Sequence, residues 1–245
     1  MLTEATGTPR RIPVIDGVFD IPVGWYDSQG TGVISAPVAT IVADSIALIP
    51  DSMISALSGQ PQGNYGTGKL RMFLGQDQNF LRAQHESTGS FAGIYDAPSV
   101  GGGSIWTNSF VATIDSLPVS TVLLHEYGHH LDATYGRFIL GLTSTSGLSD
   151  GVGASGLRRS LPQCFTDALP TIPAGLYGKS KLTEWFAEVW TVQLYPSYAG
   201  GGGSGTSPTL YQALCGDDIS IMRDVRREFK HLVPDMPPFA GGIYD

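Results

Sequence analysis

The chain has 245 residues, 42% hydrophobic and 10% aromatic, enough for a sizeable core, and carries a formal net charge of −8. That acidic balance, with no Lys/Arg block, argues against nucleic acid and anionic membrane surfaces as partners. Its two cysteines, Cys164 and Cys215, lack C-x-x-C spacing, which excludes a cysteine metal site and leaves either one disulfide or two buried thiols.

From the N-terminus, residues 1–7 show neither the basic n-region nor the apolar h-region of a secretory signal. No stretch approaches the roughly 18 uninterrupted apolar residues of a membrane span. The 32 Gly and 16 Pro nevertheless suit a loop-rich, extracellular or secreted protein. Short β-like stretches at 12–15 and 18–21, broken by Pro and Gly, read as an N-terminal arm over 1–40. Residues 44–57 read as a helix that Pro50 kinks or splits. A strand follows at 69–74. His85 closes a short helix, where a surface role outweighs a ligand role. Two more strands, 92–95 and 103–114, flank a Gly-rich turn.

His125-Glu126-Tyr127-Gly128-His129 comes next, entered through Pro118 and Ser120 with a helix-start pattern. Positions i and i+4 share a helical face, so His125 and His129 can grip one zinc ion. Glu126 stands one step round the helix, where a general base can take a proton from water at the metal. With 5 His in the chain, chance placement would give this motif in roughly one chain of this length in four hundred, so coincidence is the weaker reading. A third ligand is still needed. Asp132 sits about 10 Å along the axis from His125 and reaches poorly. Tyr135 stands where the metzincin pattern would need a histidine, and His130 points away from the ligand face. The better third ligand is Glu184. With Glu188 it forms an i, i+4 carboxylate pair on an otherwise apolar and aromatic helix, and carboxylates in such surroundings need partners. Glu184 then ligates, the gluzincin arrangement, while Glu188 orients a ligand histidine. The bland alternative is a polar stripe on a surface helix.

Residues 136–175 between these helices are rich in Gly, Ser and Pro and long enough to wall a cleft. Arg158 and Arg159 hold either a substrate carboxylate or, more simply, a neighbouring Asp. Gly200 to Gly205 form a lid or a connector. Asp217 and Asp218 cap a final amphipathic helix over 219–232, with Arg223, Arg226, Arg227 and Lys230 exposed and His231 at its C-terminal end.

The run from Tyr177 through Gly178, Lys179, Leu182 and Thr183 to Glu184-Trp185-Phe186-Ala187-Glu188 resembles the signature of the anthrax lethal factor catalytic domain and its relatives, the Pro-Pro endopeptidases. In that family a Tyr precedes the ligand Glu by seven residues, and an H-E-aromatic-small-H helix supplies the histidines. Trp185 and Trp190 stand where Phe or Tyr is usual. The resemblance spans about residues 103–195. It implies Glu184 as third ligand and Tyr177 as active-site tyrosine, donating a hydrogen bond to charge developing on the scissile carbonyl. A tyrosine that merely closes the helix entrance against the core is the plainer alternative.

These readings predict an α+β, zincin-like metalloprotease domain over 41–245: a small mixed sheet, the H-E-x-x-H helix and a second, Glu-bearing helix. In zincins an edge strand before the first metal helix binds substrate as an added strand, which nominates Ile105, Trp106 and Thr107; an ordinary interior strand with Trp106 in the core fits equally. The expected activity is zinc-dependent endopeptidase, with one Zn2+ ion, a peptide or protein substrate and a monomeric chain. A catalytically inactive, metal-stabilised binding module and a cell-wall peptide hydrolase are the alternatives.

Overall fold

The computed structural model of the chain describes residues 23–26, 41, 44–53, 71–75, 93–96, 104–108, 120–134, 159–195 and 209–239. It divides into two units: Met1–Ala47 with Leu57–His130, and Leu48–Ala56 with Leu131–Asp245. The expected strands at 12–15 and 18–21, the segment around His85, Arg158 and the Gly200 to Gly205 loop lie outside the described residues.

In the first unit, β1 (Val23–Tyr26), β2 (Arg71–Gly75), β3 (Gly93–Asp96) and β4 (Ser104–Asn108) are short segments of strand backbone. They pair in the order β1-β2-β4-β3, parallel except for the antiparallel β3–β4 ladder. β1 falls within the segment expected as an arm. Residues 44–47 and 51–53 are helical and interrupted at Pro50, whose ring blocks the helical hydrogen bond, as the sequence predicts.

Helix α1 (Thr121–Thr134) opens at Ser120, whose hydroxyl accepts from the Leu123 amide at 3.2 Å and so satisfies one of the unpaired donors of the first turn. The Ser120 amide donates to Ser45 Oγ at 2.7 Å, and Ser45 Oγ donates to the Ile41 carbonyl. That relay ties the helix start to the segment before Pro50. Leu123, Leu124 and Tyr127 are buried, which carries the motif residues into the interior.

The second unit is helical in its described residues: α2 (Leu161–Ala168), a 3-10 turn (Tyr177–Lys179), α3 (Leu182–Leu194), α4 (Thr209–Leu214) and α5 (Ile219–Leu232). Every α3 residue from Glu184 to Leu194 is buried, the mark of a helix enclosed on all sides. Phe229 of α5 packs on Phe186 and Trp190, with ring centroids 5.3 and 6.2 Å apart. Trp185 stacks obliquely on Phe165 of α2 and donates its indole N–H to the Leu214 carbonyl at 2.8 Å. Burying rings of this size contributes roughly 1.5–3 kcal/mol each, and the partnered N–H removes the cost of the polar atom.

The expected α+β zincin-like class is corrected by this distribution. Among the residues whose side chains are described, Gly93 and Tyr95 apart, helix is the only regular structure and none belongs to a sheet. The alternating patterns behind the α+β expectation lie in the first half of the chain, whereas the packed aromatic core comes from helically spaced residues of the second half. Isoleucine 221, Val225 and Phe229 recur every fourth residue and make one buried stripe of α5.

A second correction concerns Arg226, expected to be exposed but fully buried. Its guanidinium donates to Gln193 Oε1 at 3.0 Å and the Pro237 carbonyl at 2.6 Å and lies over the Phe239 ring, whereas Arg223, Arg227 and Lys230 are exposed as predicted. Helical spacing places 226 one position from the stripe, and the tail around Pro237 to Phe239 covers it. The α5 bounds and the Asp218 cap match the sequence reading. Arg159 pairs with Asp167 and Asp224 at 2.8 and 3.0 Å, the simpler of its two expected roles. Cys164 and Cys215 are both free and buried.

Candidate metal centre

His125 and His129 lie one turn apart on α1, with ring centroids 4.8 Å apart and ring planes at 84°. His125 is 7% exposed, His129 is half-buried, and Glu184 in the first turn of α3 is 6% exposed. Their ligand atoms all lie within 4.8 Å of one another, so this group can hold a metal ion. Four-coordinate zinc with bonds near 2.1 Å sets neighbouring ligand atoms roughly 3.4 Å apart, within reach of that arrangement. Two imidazole nitrogens and one carboxylate oxygen are a donor set that suits zinc and leaves a further position open. Asp132, passed over in the sequence reading, is buried but outside the group.

Glu126 is 6% exposed and lies against the edge strand β3. A Cβ on Gly93 would stand 2.6 Å from Val122 Cγ1 and 2.9 Å from both Glu126 Cγ and Oε1. Only a residue without a side chain lets that strand pass so close to the carboxylate. A glycine inside a strand pattern is the sequence signal for such an approach.

His130 follows the second ligand and turns elsewhere. Its Nδ1 is 3.2 Å from the Tyr95 hydroxyl, and its ring meets Tyr95 and Tyr127 edge-on at 5.5 Å. Burial pushes its pKa down to about 3, so it is neutral at neutral pH. Burial also raises the Tyr127 phenol above its ordinary range. The two side chains belong to the packing behind the motif.

On α3, Lys181 Nζ pairs with Glu184 Oε1 at 3.0 Å, a partner the sequence reading did not single out. A carboxylate has two oxygens, so this pair between an exposed lysine and a buried glutamate is compatible with ligation through Oε2. Glu188 is buried one turn further along. Tyr177 opens the 3-10 turn and is 51% exposed.

Ile105, Trp106 and Thr107 correct the sequence expectation. They lie on β4, which pairs with β2 through Met72, Phe73 and Leu74 and with β3 through Tyr95, Ile94 and Gly93. With both edges occupied, β4 has no main-chain groups to offer a peptide as an edge strand. Strand order comes from long-range pairing, which a local β pattern does not encode. Among the described residues the outer strand on this side is β3.

No family model and no curated protein matches this chain. No helix among the described residues is long and apolar enough to cross a membrane.

Proposed function

We propose that this chain is a zinc-dependent endopeptidase in which His125, His129 and Glu184 hold the ion. The observation that carries the reading is the gathering of these three ligand atoms within 4.8 Å beside a buried Glu126. An ion held there supplies Lewis acidity toward water and toward a peptide carbonyl. Glu126 accepts the proton of the attacking water and returns it to the departing amine, a role worth typically 100- to 10,000-fold in rate. Tyr177 donates its hydroxyl hydrogen to the carbonyl oxygen as negative charge collects there; losing such a donor typically costs 100- to 1,000-fold in turnover. Glu188, one turn beyond Glu184, orients a ligand imidazole through the nitrogen that does not face the ion. An extended peptide pairs with the outer edge of β3, whose Gly93 runs past Glu126.

The test is cleavage of a diverse peptide library followed by mass spectrometry, with elemental analysis of each protein. Glu126→Gln is expected to retain the metal and lose the cuts, and Glu184→Ala to lose the metal itself. Cuts by the wild type are expected to vanish with a chelator and return with zinc. Full metal content in Glu184→Ala overturns the ligand assignment. A zinc-loaded wild type that cuts nothing overturns the endopeptidase reading and favours a binding role.

A further inference from the structure

Gly178 packs close against α3 and Leu214, with little room for a side chain. A Cβ there would stand 2.9 Å from Leu214 Cδ2, 3.3 Å from Glu188 Cγ and 3.3 Å from the Trp185 Cα. The Leu214 methyl ends a flexible side chain and can turn aside. Trp185 Cα cannot, because it is helix backbone: its amide donates to the Lys181 carbonyl at 3.0 Å, and its indole is tied to Leu214. Glu188 Cγ belongs to a buried side chain with little room to retreat. The 3-10 turn therefore seats on α3 at the level of Trp185 and Glu188, within one turn of Glu184.

The rest of the turn is fastened as firmly. The Lys179 amide donates to the Leu176 carbonyl at 3.1 Å and the Ser180 amide to the Tyr177 carbonyl at 3.0 Å. Lys179 Nζ reaches across to the Ile172 carbonyl. Tyr177 is thus an exposed side chain on a backbone that is fixed on both sides of it. An exposed aromatic gains little by burial, so this fastening does not serve to bury its ring.

We propose that Gly178 is a positioning residue: its close approach to α3 sets the height of the Tyr177 hydroxyl relative to the Glu184 carboxylate. This rests on the assignment of Tyr177 as the hydrogen-bond donor in the proposed reaction. Donation to a developing charge requires heavy atoms about 2.7–3.1 Å apart, so a displacement of a few tenths of an ångström weakens it. A Cβ at 178, 3.3 Å from Trp185 Cα, requires the turn and α3 to part by a few tenths of an ångström.

The experiment is a double-variant cycle on the zinc-loaded full chain: wild type, Gly178→Ala, Tyr177→Phe and the double variant. Gly178→Ala is expected to keep its zinc, keep KM within about twofold and lose on the order of 10-fold in kcat, up to the 100- to 1,000-fold ceiling of losing the donor. In the Tyr177→Phe background the same substitution is expected to cost nothing more. Equal losses in both backgrounds overturn the proposal, because they mean that Gly178 acts through the fold and not through the hydroxyl. A fully active Gly178→Ala beside an impaired Tyr177→Phe overturns it as well, while leaving the endopeptidase reading intact. A fully active Tyr177→Phe overturns the donor role and the positioning with it. Crystal structures of wild type and Gly178→Ala give a readout that does not need turnover: an unchanged distance from Tyr177 Oη to the Glu184 carboxylate overturns the proposal.

Discussion

Glu126 shows how a single glycine elsewhere in the chain decides what a motif residue can do. Gly93 leaves its carboxylate the space a Cβ would take, so Gly93→Ala puts a Cβ where Val122 and Glu126 already stand. Overpacking of this kind costs about 1–3 kcal/mol, and here it must also displace the carboxylate. The expected outcome is a lowered urea midpoint together with a loss of turnover, with zinc content unchanged; wild-type kcat in Gly93→Ala would show that the carboxylate has room. The cysteines carry a different lesson. Burial pushes the Cys164 thiol up to about 12, with Asp224 adding to it, so the thiolate fraction at pH 8 is about one in ten thousand. The Cys215 thiol is raised for the same first reason, and both side chains are inaccessible. A thiol reagent at pH 8 is expected to titrate neither in the native protein and both after guanidinium denaturation, and rapid native labelling would contradict it. The raised values have the sign of protection: reactivity rises only as pH climbs towards 12. Sequence spacing left a disulfide and buried thiols equally open, because a pairing depends on where two distant helices lie.

At the scale of elements, caps were legible in the sequence and neighbours were not. Asp218 accepts from the Ser220 amide and hydroxyl, both at 2.7 Å, and from the Ile221 amide. The Ser220 hydroxyl first, and then the Ser220 amide, hold its carboxyl below the usual range. A depressed folded-state value means that the charged cap stabilises α5 above the unfolded-state pKa, about 3.9, and that the contribution is lost as pH falls through the lower folded value. Asp218→Ala is therefore expected to cost about 1 kcal/mol in urea denaturation at pH 7. The gap to wild type should narrow as pH is taken from about 5 towards 3, and a constant gap would remove the charge from the explanation. Ser120 caps α1 by the same local logic and is equally readable, since both motifs lie within four residues of chain. Arg226 and β4 were not readable, because the burial of one and the interior place of the other come from partners far away in sequence.

At the scale of the whole molecule, the candidate centre draws its ligands from two helices, so ion binding and folding are coupled. Anything that binds the folded chain alone stabilises it by mass action, about 4.1 kcal/mol when free ligand stands at 1,000 times Kd. For a chain of this size that corresponds to a rise in Tm on the order of 10 °C. Zinc is expected to raise the Tm of wild type and Glu126→Gln alike and to leave Glu184→Ala unmoved, as calorimetry would read. A rise of equal size in Glu184→Ala would place the ion elsewhere. The sequence by itself determined the helix that carries His125, Glu126 and His129, the pairing of Glu184 with Glu188, and the caps at Ser120 and Asp218. Each rests on a period or spacing of a few residues, which the backbone imposes locally. Only the tertiary structure decided that Glu184 comes within ligand reach of the two histidines, that Gly93 runs against Glu126, that β4 is interior and that Arg226 is buried. Those contacts join residues from 8 positions apart, in the β3–β4 ladder, to 59 apart, between His125 and Glu184, and tertiary packing, which no local pattern records, brings them together.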